Sequence, residues 1–154
     1  MESGLSVFWA VPCGAAVFSL PTFWMFRMTY VFIAIFAIVG AFARYGQSIV
    51  VQGVLGRSFP FATLSINVLG SFLMGFLFFE TLERINLSPE LRTGILTGGL
   101  GAYTTFSTFS LESLNLIENG ELVKAGLYVG GSVVLSIAAA IFGAYLSRNL
   151  GVSV

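Results

Sequence analysis

Histidine and aspartate are absent from this chain of 154 residues, and cysteine occurs once, at Cys13. Without histidine or aspartate there is no Ser-His-Asp triad, no imidazole metal site and no aspartate pair. A single cysteine forms neither an internal disulfide nor a thiolate metal cluster. The formal net charge is zero and no basic cluster occurs, so we expect no nucleic-acid partner. These absences predict that the protein is not an enzyme.

Charge is scarce and apolar residues are abundant. Only 9% of the residues are charged, against about a quarter in a soluble domain, and 56% are hydrophobic. A chain of this length has room for one small bundle of membrane-spanning helices and little else. The composition therefore predicts an all-α membrane protein.

The apolar runs predict four membrane spans after an N-terminal segment, residues 1–27. For that segment four interpretations stay open: a dispensable extension, a wrongly assigned start with Met28 as the true first residue, a signal peptide, or an extra membrane helix. No basic region precedes its apolar stretch, which disfavours the signal peptide. The four-span domain is predicted over 28–149, with spans at 28–46, 60–79, from residue 91, and 121–146, a loop over 47–58, and a tail over 150–154.

The third span contains the stretch Thr97–Phe109, which an ordinary membrane helix would not contain. Gly98, Gly99 and Gly101 are poor helix formers, and four hydroxyl residues follow within seven positions. Non-helical backbone at membrane depth is tolerated only where it is buried in protein or lines a polar cavity. The stretch therefore predicts a helix break that forms an ion site.

Two other spans carry polar groups on one helical face. Asn67, Gly70 and Ser71 are spaced i, i+3 and i+4 and therefore share one helical face. This face is either a packing face with one polar contact or a pore face. Tyr128 and Ser132, at i and i+4, present hydroxyls on one face of the last span. The same two alternatives, packing or pore lining, apply to this face. Four glycines of the last span are predicted close-packing positions: Gly126, Gly130, Gly131 and Gly143.

Charged residues near the span ends give two further candidates and a topology. Arg44 is either a terminal cation that reaches the interface or an anion-attracting group. Glu112 is either a boundary carboxylate or a partly buried gate. With four spans, basic residues number four on one side and three on the other, too small a bias to fix one orientation. This balance permits an antiparallel homodimer. The basic residues on one side would be Arg27, Arg84, Arg92 and Arg148, and those on the other side would be Arg44, Arg57 and Lys124.

The stretch Gly98–Phe109, preceded by Asn67–Ser71, resembles the Fluc/CrcB fluoride channels over about residues 28–148. The resemblance implies a dual-topology dimer of four-helix subunits in the cell membrane, with two fluoride pores and a central structural sodium ion. Tyr103 stands where many relatives have an aliphatic residue. The implied function is passive, fluoride-selective export.

Carried over residue by residue, the resemblance implies roles for ten positions. Phe106 and Phe109 would form an aromatic box beside the fluoride path, and Asn67 would be a hydrogen-bond donor in the pore. Thr108, Tyr128 and Ser132 would contribute to a polar track. Backbone carbonyls of Gly101 and Thr104 from both subunits would hold sodium. Arg44 and Glu112 would line the vestibule. Two rival functions stay open: a small proton-coupled dual-topology transporter, with Glu112 as its carboxylate, and a structural membrane subunit.

Overall fold

The structure, a computed structural model, describes residues 20–83 and 87–149, with side chains over 27–80 and 87–149. Regular structure in these ranges is helical, as the composition predicts. The predicted tail, most of the predicted N-terminal segment and Arg84 lie outside the described residues. The elements in chain order are α1 (Leu20–Leu55), α2 (Phe61–Glu83), α3 (Pro89–Thr93), a π-helical segment (Gly94–Leu100), α4 (Gly101–Tyr103), α5 (Phe106–Glu118) and α6 (Leu122–Asn149).

The first helix is longer at both ends than the sequence predicts. It begins at Leu20 rather than Met28, and it continues through most of the stretch predicted as a loop, residues 47–58. That prediction was wrong because Gly53 costs a helix only about 1 kcal/mol and no proline follows before Pro60. The helix ends at Leu55, where Gly56 takes a positive φ of 75° and its N–H bonds to the Gln52 carbonyl at 3.0 Å.

The second and third helical segments begin at the predicted signals. Pro60 precedes α2, and its carbonyl accepts a hydrogen bond from the Leu64 N–H at 3.2 Å. Ser88 caps α3, and its hydroxyl accepts from the Leu91 N–H at 3.3 Å. The predicted serine cap is confirmed. The second helix extends beyond the predicted end at Phe79, to Glu83.

The sequence predicted that the glycines of the third segment interrupt the helix, and in the structure they do not. They lie in the π-helical segment and α4, and helical geometry stops only after Tyr103. Two glycines of the π-helical segment instead allow close approach to α1: a Cβ at Gly98 would lie 2.6 Å from the Ile33 carbonyl oxygen, and one at Gly94 would lie 2.6 Å from Phe32 Cβ. Small residues of this kind let helix backbones meet in membranes.

Helices α2 and α6 pack along a seam where two glycines meet the opposite backbone. A Cβ at Gly75 would lie 2.2 Å from the Ala140 carbonyl oxygen, and one at Gly143 would lie 2.3 Å from the Phe72 carbonyl oxygen. Gly143 is thus a close-packing position, as predicted. The same prediction was wrong within this chain for Gly126, Gly130 and Gly131, where a Cβ would have no neighbour within 4 Å.

Three helices among the described residues are long and apolar enough to cross a membrane: Arg27–Leu55, Phe61–Glu80 and Leu122–Asn149. Their outer faces carry many exposed large apolar side chains, as lipid contact requires. The predicted third span is divided among short helices, so each piece falls below spanning length. The count of four spans therefore stays a prediction.

Candidate functional site

The candidate site is centred on two extended residues between α4 and α5. Thr104 has φ −79° and ψ 159°, and Thr105 has φ −150° and ψ 114°. The Thr105 hydroxyl then caps α5, because it accepts from the Thr108 N–H at 3.2 Å. Hydroxyl residues favour such caps because their oxygens replace a missing helical acceptor. The tandem threonines therefore both end one helix and start the next.

The side chain of Asn67, on the neighbouring helix α2, forms hydrogen bonds with the backbone of the extended residue Thr105. Its Nδ2 donates to the Thr105 carbonyl at 3.1 Å, and its Oδ1 accepts from the Thr105 N–H at 2.9 Å. Buried backbone groups need such partners, and Thr105 is buried. An amide nitrogen carries two hydrogens, so Asn67 retains one for a further acceptor.

The polar face of α2 packs against this break. A Cβ at Gly70 would lie 2.3 Å from Thr104 Cγ2. Asn67, Gly70 and Ser71 also line a cavity of about 370 Å³ beside the extended residues. The spacing allowed either a packing face or a pore face. In the structure this face packs against the break and also lines the cavity.

This cavity is bordered by α2, α5 and α6 and is lined by a mixture of rings, hydroxyls and small residues. Ser132 on α6 is only 5% exposed, and its hydroxyl has no hydrogen-bond partner within the described residues. A buried hydroxyl without a partner is costly, which makes its donor available to a ligand. The lining residues are Asn67, Gly70, Ser71, Met74, Thr104, Thr105, Phe106, Phe109, Ser132, Val133, Ser136 and Ala140.

An aromatic series runs from the cavity along α5 and α6. The ring centroids of Phe106 and Phe109 are 5.4 Å apart, and those of Phe109 and Tyr128 are 5.2 Å apart. Phe109 is 9% exposed whereas Phe106 is 78% exposed. The Phe109 ring is therefore fixed by its own chain, and the Phe106 ring has most of its surface uncovered.

Beyond these rings the carboxylate of Glu112 accepts hydrogen bonds from two hydroxyl groups. Tyr128, fully buried, donates from its hydroxyl to Glu112 Oε2 at 2.6 Å. Thr63 of α2 donates from its hydroxyl to Glu112 Oε1 at 3.0 Å. Thr63 was missed by sequence reasoning, because a lone threonine in an apolar run carries no signal of its partner.

A second cavity, of about 450 Å³, opens beyond Glu112 at the end of the bundle. The α1–α2 connection and the α5–α6 turn form its walls. Its lining residues are Gln52, Gly56, Arg57, Ser58, Phe59, Pro60, Ala62, Glu112, Asn115, Leu116, Asn119 and Glu121. We call this space the mouth cavity.

Four of the ten positions to which the resemblance gives a role line neither cavity. Tyr128 is still joined to the site through Phe109 and Glu112, and Gly101 lies in α4 before the break. The other two lie elsewhere. The Thr108 hydroxyl accepts from the Thr105 hydroxyl at 3.0 Å, and Thr108 lines neither cavity. Arg44 lies on α1, also outside both cavities. The structure therefore brings together Asn67, Phe106, Phe109, Tyr128, Ser132 and Glu112, and leaves these two apart.

Tyr103 belongs to a separate hydrogen-bonded group at the end of α4. Its hydroxyl donates to Gln47 Oε1 of α1. Gln47 Nε2 in turn donates to the Ser65 hydroxyl of α2 at 3.1 Å, and Ser65 donates to the Ala62 carbonyl at 2.9 Å. Tyr103, the last helical residue before the break, is thus linked through Gln47 to α1 and through Ser65 to α2.

Apolar spans around a cavity that carries an amide and several hydroxyls define the class: this is a multi-pass, all-helical membrane protein. The chain belongs to the CrcB family, because the family model described as "CrcB-like protein, Camphor Resistance (CrcB)" matches residues 31–144. The resemblance seen in the sequence is confirmed.

The relatives agree with this assignment. The fluoride-specific ion channel FluC of Acidithiobacillus ferrooxidans is 69% identical over 121 residues, which are 79% of this chain and 97% of that protein. The channel of the same name from Magnetococcus marinus is 46% identical over 79% of this chain and 98% of its own length. The one from Methylococcus capsulatus is 55% identical over 78% of this chain but only 53% of its own. All three are named as ion channels and none as an enzyme, as predicted for this chain.

Proposed function

We propose that this protein is a passive, fluoride-selective channel that exports fluoride across the cell membrane. The observation that carries the proposal is the cavity at the break, where the buried Ser132 hydroxyl has no partner and Asn67 keeps one free amide hydrogen. Fluoride is small and strongly hydrated, so a pore must replace its lost water with such donors. The names of the relatives support the choice of fluoride.

The path runs from the cavity past the two phenylalanines to Tyr128, the Glu112 carboxylate and the mouth cavity. Phenyl rings have an electropositive edge that can face an anion without binding it tightly. Conduction needs this compromise between favourable binding and easy release. Export needs no energy coupling, since a membrane that is negative inside drives anions outward.

The working unit of the proposal is an antiparallel homodimer of four-span subunits, in which the third span is the broken one. Phe106 lines the cavity yet is 78% exposed, so one chain encloses only part of the site. A second copy would complete it. Arg44 would then line a vestibule between subunits, and Thr108 would join the polar track from the exposed side of α5.

A structural sodium ion between the two copies forms part of the same proposal. In an unbroken helix the Gly101 carbonyl would accept from the Thr105 N–H, and the Thr104 carbonyl from the Thr108 N–H. Asn67 Oδ1 and the Thr105 hydroxyl take these two donors instead. The freed carbonyls of Gly101 and Thr104 suit a cation, as in transporters with discontinuous helices.

The decisive experiment measures fluoride efflux from liposomes that contain the purified protein, with chloride efflux as the control. We expect fast fluoride release with little chloride release. No fluoride release from verified, folded protein would reject the proposal.

Variants of the cavity locate the path. Ser132→Ala should lower fluoride flux at least severalfold, because the hydroxyl donor is lost at a buried position. Ser110→Ala should leave the flux unchanged, because it removes an exposed hydroxyl whose one partner among the described residues is the Phe106 carbonyl. Phe106→Ile and Phe109→Ile should each cut flux with the oligomer preserved. Unchanged flux in both phenylalanine variants would remove the aromatic box.

A proton-coupled transporter is the second candidate, and Glu112 is the observation that favours it. Its carboxylate is held between Thr63 and Tyr128, inside the bundle, as carriers often hold a coupling group. An imposed proton gradient separates the two functions. Uphill fluoride movement driven by that gradient, and lost in Glu112→Gln, would replace the channel with the transporter.

A further inference from the structure

The mouth cavity is the place where the polar chain of the bundle meets water. Glu112 lines it, and the same carboxylate accepts the hydrogen bonds from Thr63 and Tyr128. Its walls come from the two connections at one end of the bundle, and both turn sharply at a glycine with positive φ, Gly56 and Gly120. Any ion that leaves the polar chain in this direction crosses the mouth cavity.

Three charged residues line this cavity, and two of them are already engaged. The Glu112 carboxylate accepts a hydrogen bond on each oxygen. Glu121 forms an ion pair with Lys124 at 2.7 Å. Arg57 makes no hydrogen bond or ion pair with another described residue, although it lines the same space. Its guanidinium is the charge still available to a solute.

The local charge balance depends on this arginine. The two cations, Arg57 and Lys124, offset the two carboxylates, Glu112 and Glu121, so the mouth cavity is neutral as a whole. Without Arg57, the remaining three groups would carry a net charge of one negative unit. A negative cavity repels anions and lowers their local concentration.

We propose that Arg57 is the anion-attracting group of the mouth cavity and that it sets how fast small anions reach the pore. This inference rests on the proposed channel function. Arg44, to which the resemblance gives the vestibule, precedes the end of α1 by eleven residues and so lies about 16 Å deeper along that helix. The two arginines therefore act at different depths.

The size of the effect follows from a single charge acting through water. At a separation of a few ångströms, a unit charge changes the local concentration of an anion about two- to fivefold at low ionic strength. Salt removes such an effect, because the screening length falls from about 30 Å at 0.01 M to about 3 Å at 1 M. Salt dependence therefore separates attraction from a structural role.

The test compares Arg57→Gln with Arg57→Lys, which keeps the charge at the same position. Fluoride efflux is measured from vesicles of neutral phosphatidylcholine at low fluoride, with ionic strength raised from about 0.01 M to about 0.5 M by a salt of an impermeant anion. We expect Arg57→Gln to conduct about two- to fivefold more slowly than wild type at low salt and equally fast at high salt. Arg57→Lys should match wild type throughout.

A second variant tests the same charge balance without touching the arginine. Lys124→Gln leaves the Glu121 carboxylate unpaired beside the cavity, and it should lower flux with the same salt dependence. Elution of each variant as wild type on size exclusion verifies its fold.

Two outcomes overturn the inference. One is an Arg57→Gln flux equal to that of wild type at low salt; the other is an equal loss at low and high salt, which would indicate a structural role. Absence of fluoride release from the wild type is a different result, because it rejects the channel itself. The failure of this inference and the failure of the proposed function are thus distinguishable.

Discussion

The seam between α2 and α6 and the break between α4 and α5 are stabilised by different interactions. At the seam, Gly75 and Gly143 bring backbone against backbone, with no room for a Cβ. At the break, the backbone is held by side-chain hydrogen bonds from Asn67 and from the Thr105 hydroxyl. The seam leaves no space, whereas the break borders a cavity of about 370 Å³.

This difference separates stability from function within one small bundle. Close packing of glycine seams gives dispersion contacts and excludes solutes, which suits a scaffold in lipid. Hydrogen bonds at the break satisfy an irregular backbone while they leave donors beside open volume. We therefore expect seam variants to affect folding first and break variants to affect both folding and flux.

The largest effect is expected at the seam. In Gly143→Leu the new side chain would meet the Phe72 carbonyl oxygen and the Phe76 nitrogen, so unfolding free energy should fall by more than about 3 kcal/mol. The fraction of monodisperse protein on size exclusion and the thermal midpoint in detergent measure this. Gly130→Leu is the matched control, since a Cβ there meets nothing within 4 Å of this chain. Equal behaviour of the two variants would contradict the role given to the seam.

An intermediate effect is expected at the break. Asn67→Ala leaves the N–H and carbonyl of buried Thr105 without partners, which should cost about 2 kcal/mol and abolish most fluoride flux. Thermal unfolding and liposome efflux give the two readouts. Asn149→Ala serves as control, because that exposed amide, at the end of α6, bonds the Tyr145 carbonyl and no other group in the part of the chain that the structure describes. Full flux in the Asn67 variant would show that the break needs no amide.

The smallest effect is expected at Tyr103, which links the break to α1 and α2. Tyr103→Phe removes the hydroxyl that bonds Gln47 and should lower stability by about 1 kcal/mol, with flux reduced less than in the Asn67 variant. Tyr145→Phe is the control, since Tyr145 is exposed. If the thermal midpoint of Tyr103→Phe equals that of its control, the Tyr103–Gln47–Ser65 group does not hold the break.

Much of the site could be predicted because the break has a local chemical signature. Tandem threonines at membrane depth indicate an irregular backbone, and the asparagine on the preceding span, Asn67, supplies a hydrogen-bond partner for it. The position of the break was predicted less well. Glycine propensity favoured an interruption at Gly98–Gly101, but packing against α1 keeps those residues helical and moves the break to Thr104. Tertiary contacts overrode propensity there.

The all-helical membrane class, the family, the helix starts at Pro60 and Ser88, and the residue types around the cavity could all be predicted from the sequence. These follow from composition, from turn and capping chemistry and from a specific motif, all of which are local. Three features could be seen only once the helices were packed together: Thr63 joins Tyr128 at Glu112, Gln47 holds Tyr103, and Arg57 rather than Arg44 lines the mouth cavity. Each of these depends on which helix faces come together, and that choice is made by packing between residues far apart in the chain.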